Sequence, residues 1–199
     1  MRRIHKLLGL LMLAPLLLWG ITGLVFLVKP GYDGAYEQLA PRFYPLDLPA
    51  AIKGPDTWSQ VRLLRTVLGD HLLVQEEGAW RHLDPVTQSV RAPPSEDAFL
   101  SLVSDAIRHN PGRYGRVTSI EGATALTDTG VEITLDWDTL SLRQKGDDTR
   151  TIQALYRIHY LQWTPSSELN VVLGALGIAL LLTLSLVGLR LVFSSPPVD

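Results

Sequence analysis

Two stretches of the chain carry no charge at all, and between them apolar and polar residues alternate over short periods. Leu7 to Val28 is 22 residues without a charged side chain, and Val171 to Leu189 is 19 more. Each is long enough to cross a bilayer as a helix. Neither has the polar face of a helix lying in the interface. The pattern predicts two membrane spans bracketing one polar region from Pro30 to Asn170. That region has room for a single extramembrane domain with a modest core. Met1 to Val28 also begins as a signal peptide does, with a basic start and an apolar run. The run exceeds a usual signal core, and Lys29-Pro30-Gly31-Tyr32 offers no Ala-x-Ala-like cleavage site, so a retained anchor is expected.

Pro30 to Pro55 is rich in proline, tyrosine and glycine and reads as an irregular linker with one short helix at 34–39. Val61 to Leu68 and Leu72 to Gln75 read as strands around a Gly69-Asp70 turn. Glu77-Gly78 turns the chain into a strand over Ala79 to Leu83. Ser95 is a helix N-cap, with Glu96 and Asp97 in the first turn. Ala98, Leu102, Ala106 and Ile107 share one face of that helix, and Asn110-Pro111-Gly112 stops it. Val117 to Ile120 is a strand. Val131 to Leu135 and Leu140 to Arg143 form a hairpin around Asp136-Trp137-Asp138-Thr139. Ile152 to Trp163 reads as an amphipathic helix leading through Pro165 into the second span. Leu83 to Val90 and Leu135 to Leu142 both read Leu-Asp-x-x-Thr-x-Ser-apolar, 52 residues apart. Asp and Thr suit tight turns, and the spacing also suggests two related β units, a degenerate duplication.

Basic residues set the orientation. Arg2, Arg3 and Lys6 precede the first span and only Lys29 closely follows it, so both termini are expected in the cytoplasm. The expected organisation is a cytoplasmic start (1–6), a span (7–29), an outer domain (30–169) and a second span (170–193). A cytoplasmic tail (194–199) follows. Inside the outer domain lie β units at 56–92 and 95–146 and a helix at 151–163. Between residues 31 and 169, 13 Lys/Arg face 19 Asp/Glu, a net of −6. Nucleic-acid binding needs clustered positive charge, which this region lacks. The absence of cysteine excludes disulfides and thiolate metal sites. No phosphate loop, zinc helix or Ser-His-Asp arrangement is readable.

The tripeptide Arg-Ile-His occurs twice, at Arg3-Ile4-His5 and Arg157-Ile158-His159, each just ahead of an apolar stretch. Residues 3–10 (Arg-Ile-His-Lys-Leu-Leu-Gly-Leu), Leu18 to Leu24 (Leu-Trp-Gly-Ile-Thr-Gly-Leu) and Leu155 to His159 carry a resemblance to the PepSY-associated transmembrane family. The helix-then-hairpin region from Ser95 to Arg143 is similar to a PepSY domain, and the glycine-bearing end Leu186 to Leu189 also fits. The resemblance implies an α+β membrane protein, with an extracytoplasmic domain of antiparallel β-hairpins and a packed helix between two spans in a bacterial inner membrane. Larger members have four spans and include reductases of siderophore iron that carry b-type haem on histidines. This chain has two.

A neutral, oriented imidazole is a good iron ligand. His5 precedes the first span on the inner side and His159 the second on the outer side, roughly 30 Å apart along the membrane normal. They cannot share one haem within a monomer. A homodimer would pair two His5 around an inner haem and two His159 around an outer one, and a larger haem-bearing partner would serve as well. The expectation is an accessory subunit of transmembrane electron transfer, linked to iron reduction or uptake and working with a periplasmic redox partner. The alternative is a non-enzymatic, membrane-anchored module whose PepSY domain contacts a protein or protease. Both histidines also suit ordinary interfacial positions: His5 beside Arg3 and Lys6, and His159 within a belt of Tyr156, Tyr160 and Trp163. His71, His82 and His109 are expected in surface or structural roles, with no histidine or carboxylate at ligand spacing. Glu76-Glu77 and Asp147-Asp148 are expected as solvated turns.

Overall fold

The computed structural model of the protein describes residues 2–46 and 52–193. The expected cytoplasmic tail, and part of the linker before Pro55, lie outside the described residues. The chain is mixed α+β and divides into two compact units, one from Asp33 to Thr149 and the other from the two ends of the chain.

The central unit holds two antiparallel meanders. The first is β1 (Trp58–Thr66), β2 (Gly69–Glu76) and β3 (Ala79–Leu83), in that order. The β1–β2 turn is Val67-Leu68, two residues earlier than the sequence suggests. Thr66 Oγ1 accepts from the Leu68 amide at 3.1 Å, and Gly69 takes the left-handed conformation (φ +92°) that lets the chain re-enter the ladder. The β2–β3 turn is Glu77-Gly78 as expected, with both residues at positive φ, the twist a two-residue hairpin favours.

The second meander is β4 (Val117–Glu121), β5 (Thr124–Thr127), β6 (Glu132–Asp136) and β7 (Ser141–Lys145). Strand β5 is absent from the sequence reading because four residues give too short an alternation. Helix α3 (Glu96–Ile107) starts at Ser95, whose hydroxyl accepts from the Ala98 amide. Its face of Phe99, Leu102, Val103, Ala106 and Ile107 joins Ala125, Ile133, Leu135 and Leu142 in the main core. Asn110-Pro111 does more than stop this helix. Asn110 caps a second, short one, α4 (Pro111–Tyr114), whose Pro occupies a first-turn position where no amide donor is needed.

The two Leu-Asp-x-x-Thr-x-Ser segments adopt the same loop. Asp84 Oδ1 accepts from the Thr87 amide at 2.8 Å, and Asp136 Oδ1 from the Thr139 amide at 3.3 Å. Thr87 and Ser89 hydroxyls lie 2.8 Å apart, as do those of Thr139 and Ser141. Gln88 and Leu140, equivalent positions, have φ of +54° and +49°. The first loop ends in a single bridge, Leu83 to Val90, and the second in the full β6–β7 ladder.

The terminal unit holds α1 (Arg2–Val28) and α6 (Ser167–Phe193), both long and apolar enough to cross a membrane. Helix α1 continues through Pro15. They run antiparallel: a methyl at Gly9 would lie 3.9 Å from Leu184, one at Gly177 3.3 Å from Trp19, and one at Gly188 3.0 Å from His5. Small residues thus set the approach of the helices. No residue of α6 is buried, and of α1 only Met12 and Thr22 are. So much exposed Leu, Ile and Val is the signature of a surface meant for lipid or protein, and not of the core of a water-soluble fold.

Helix α5 (Asp147–His159) crosses from one unit to the other along the sequence. It begins at Asp147, earlier than the expected 151, and ends at His159, not Trp163. Asp148 is therefore no solvated turn. It pairs with Arg113 at 2.5 Å and accepts from the Thr149 amide at 2.7 Å, within the first turn of the helix where negative charge is favoured. Its carboxyl is held below the usual range, chiefly by the Arg113 hydrogen bond.

Candidate functional site

Helix α5 closes with the double hydrogen bond of a Schellman end. The Gln162 amide donates to Arg157 O at 2.8 Å and the Leu161 amide to Ile158 O at 3.3 Å. The left-handed position falls on Leu161 (φ +54°), where glycine would be strain-free. Leu161 is nonetheless buried, with its methyl against the bare Gly177. Packing holds the strained residue, and the strained turn sets where His159, the last helical residue, presents its ring.

That ring is tied to α1. Thr22 Oγ1 lies 2.7 Å from His159 Nδ1. Phe26, one turn on, stacks on Tyr156 (4.4 Å between centroids) and meets His159 edge-on at 5.0 Å. Tyr160 stands edge-on to His159 on another side at 5.3 Å. His159 then forms part of the wall of an open cleft of about 350 Å³, with Trp19, Tyr160, Leu161, Gly174 and Ile178. A methyl at Gly174 would meet nothing within 4 Å, so this side of the cleft is bare backbone.

His5 lies near the far end of the helix pair. Thr22 is 17 residues along α1, about 26 Å by helical rise, so the two span-adjacent histidines are not brought together. His5 packs on Gly188, and its Nδ1 is solvent-inaccessible with no hydrogen-bond partner among the described residues. A second apolar cleft, about 240 Å³, is lined nearby by Ile4, Leu186, Val187 and Arg190.

Of the other histidines, His109 is exposed, and His71 and His82 are buried structural groups. His71 and His82 are 0 % and 1 % exposed and bond to each other, Nδ1 to Nε2, at 2.9 Å. His82 Nδ1 donates to Trp137 O at 2.8 Å, and His71 Nε2 meets Thr66 Oγ1 at 2.7 Å. Arg91 Nη1 lies 3.1 Å from His71 Nδ1 and donates to Asp70 O. Burial, then the Arg91 charge, then His82 push the His71 pKa down to about 3. Burial also lowers His82, against the opposing Trp137 carbonyl. His109 pairs with Glu37, whose hydrogen bond raises the histidine pKa. No ligand spacing in the sequence links these three to a histidine or carboxylate; the fold nevertheless brings His71 to His82 and Glu37 to His109.

No protein-family model, curated protein or solved structure matches this chain.

The residues of the cleft could hold a haem through one imidazole. His159 has Nδ1 held by Thr22 and no hydrogen bond on Nε2 among the described residues, and Gly174 shares the cleft lining. Among the described residues the cleft lining holds no second imidazole. Among the described residues no group of three or more His, Asp or Glu gathers as for a bare metal ion. The Thr22–His159 contact spans 137 residues, and nothing in the sequence foretells it. The His71–His82 pair does have a signal. Once Glu77-Gly78 is the turn, Leu73 faces His82, and residues two apart share a face, so His71 and His82 are diagonal neighbours.

Proposed function

We propose that this chain is a membrane-anchored accessory subunit of transmembrane electron transfer, akin to the PepSY-associated transmembrane proteins. His159 would hold a b-type haem together with a histidine from a second copy or a larger partner. The observation that carries this is the His159 ring: one nitrogen tied to Thr22, the other unbonded beside an apolar cleft with a glycine wall. A ligating histidine needs this arrangement, a hydrogen-bonded nitrogen behind and a lone pair in front. Bound there, a haem would supply a reversible one-electron centre. The chain's own residues hold and aim the imidazole, while Trp19, Ile178 and Leu161 line the cleft beside it. His5, beside Gly188 and a second cleft, is assigned to an inner haem, where a second chain would have to satisfy its buried Nδ1, which has no partner among the described residues. The matched loops after β3 and β6 support reading the central unit as a duplicated PepSY-like domain, placed outside the cytoplasmic membrane with both termini inside.

The test is an absorption spectrum of the full chain, purified in detergent from haem-replete cells with any co-purifying partner. A Soret band at about one haem per chain (the two-site dimer's stoichiometry), reduced by about half in His159→Ala, is expected; no Soret band with or without partners overturns the reading. A second reading is favoured by edge strand β4, which has one neighbour in the sheet and offers main chain to an added strand. In it the central unit binds a protein and the spans only anchor it. Full function of His159→Ala in cells would select that reading.

A further inference from the structure

The short contact between Thr22 and His159 has a determinable direction. Thr22 Oγ1 lies 2.7 Å from Leu18 O and 3.2 Å from Trp19 O, as well as 2.7 Å from His159 Nδ1. A hydroxyl has one hydrogen and two lone pairs. Two oxygens 2.7 Å apart repel unless a hydrogen lies between them, and a carbonyl has none to offer. The Thr22 hydrogen therefore points back along α1 to the Leu18 carbonyl, as buried threonines in apolar helices commonly do. Its lone pair is what His159 meets, so the hydrogen in that contact belongs to Nδ1.

We infer that Thr22 is a positioning residue: by accepting from Nδ1 it fixes neutral His159 as the Nδ1–H tautomer and leaves Nε2 as the lone-pair nitrogen of the ring beside the cleft. Without the hydroxyl, nothing at Nδ1 selects that tautomer, and the proton is free to move to Nε2, where it blocks coordination. Phe26 and Tyr160, edge-on to the imidazole, limit its tilt, and among the described residues Thr22 is the hydrogen-bond partner of Nδ1. The ligand role of Nε2 rests on the haem reading; the tautomer does not.

The two are separated by two measurements on the full-length protein in detergent. The first is the imidazole ¹⁵N spectrum of haem-free, ¹⁵N-histidine-labelled protein, with His159 assigned by its loss in His159→Gln. The expected result is a protonated Nδ1 and an unprotonated Nε2 in wild type and in Thr22→Ser. In Thr22→Val, which keeps the shape and loses the hydroxyl, the pattern shifts toward a protonated Nε2. A wild-type ring protonated on Nε2, or an unchanged pattern in Thr22→Val, overturns the inference. The second measurement is haem titration, where loss of the tether weakens affinity roughly 10- to 100-fold in Thr22→Val and Thr22→Ser restores it. A wild type that binds no haem but shows the Nδ1–H tautomer refutes the haem reading alone.

Discussion

The buried histidine pair and His159 use the same side chain in opposite ways. In the central unit, His71 and His82 have every ring nitrogen engaged: Thr66, each other, and the Trp137 carbonyl. The rings are inaccessible, and Trp137 covers His82 at 4.0 Å between centroids. His159 has one nitrogen engaged and one without a partner among the described residues, at the edge of a cleft. A histidine whose two nitrogens are both satisfied holds a structure together, since an imidazole in apolar surroundings must place its polar atoms. One left half-satisfied by design is available for chemistry. Burial alone does not separate the two cases. The buried pair has no free lone pair, and the count of free lone pairs is what sets His159 apart.

The largest effect should come from breaking the closed chain. His82→Ala strands Trp137 O and His71 Nδ1 and opens a cavity between the two meanders. It should destabilise the protein by roughly 3 kcal/mol or more, combining lost hydrogen bonds and lost packing, as read by a denaturant midpoint monitored at Trp137. Wild-type-like stability would mean the chain is ornamental.

Acid should have the next largest effect. The folded state holds His71 at about 3, while the unfolded chain titrates near 6.5. Between these values the unfolded state binds more protons, so stability falls as pH drops through that window and is restored above it. The slope should reach about 1.4 kcal/mol per pH unit for each histidine kept neutral. Arg91 and Asp138 both bear on the pair, with opposite signs at His82. Arg91→Met should therefore narrow the window from its acid end and reduce the total loss, and an unchanged window would assign the acid sensitivity to burial alone.

The smallest effect on stability should be that of His159→Ala. It removes one hydrogen bond to a hydroxyl that keeps its helix carbonyl, so the central unit's denaturation midpoint should move by less than about 1 kcal/mol. A large shift would show that His159 is structural too, and the contrast would collapse.

What the sequence discloses follows from how local each determinant is. The two long helices and the Ser95-capped helix were legible because unbroken apolar runs and a cap are signals carried by adjacent residues. The β6–β7 hairpin was legible for the same reason. The early start of α5 was not, because Asp148 is set by Arg113, 35 residues away. The turn at Val67-Leu68 was masked by the stronger local cue of Gly69-Asp70, whose glycine serves the residue after the turn. At the candidate site, His159 was legible from its place ahead of an apolar run. Thr22, Phe26 and the strained Leu161 come into view only when separate helices meet.

The first of the twin loops has one more use. Its partner loop turns Trp137 and Leu140 toward the core, but at the equivalent of Asp138 the first loop carries Val86, 75 % exposed. The protein contains no cysteine. Val86→Cys would therefore give a single thiol on a loop whose frame is held by Asp84 and Thr87, with nothing in the core to disturb. A membrane-impermeant maleimide would label it in intact spheroplasts if the central unit faces outward, and only after lysis if it faces the cytoplasm. A loop that has lost its share of the core thus becomes a fixed address from which the sidedness of the whole chain can be read.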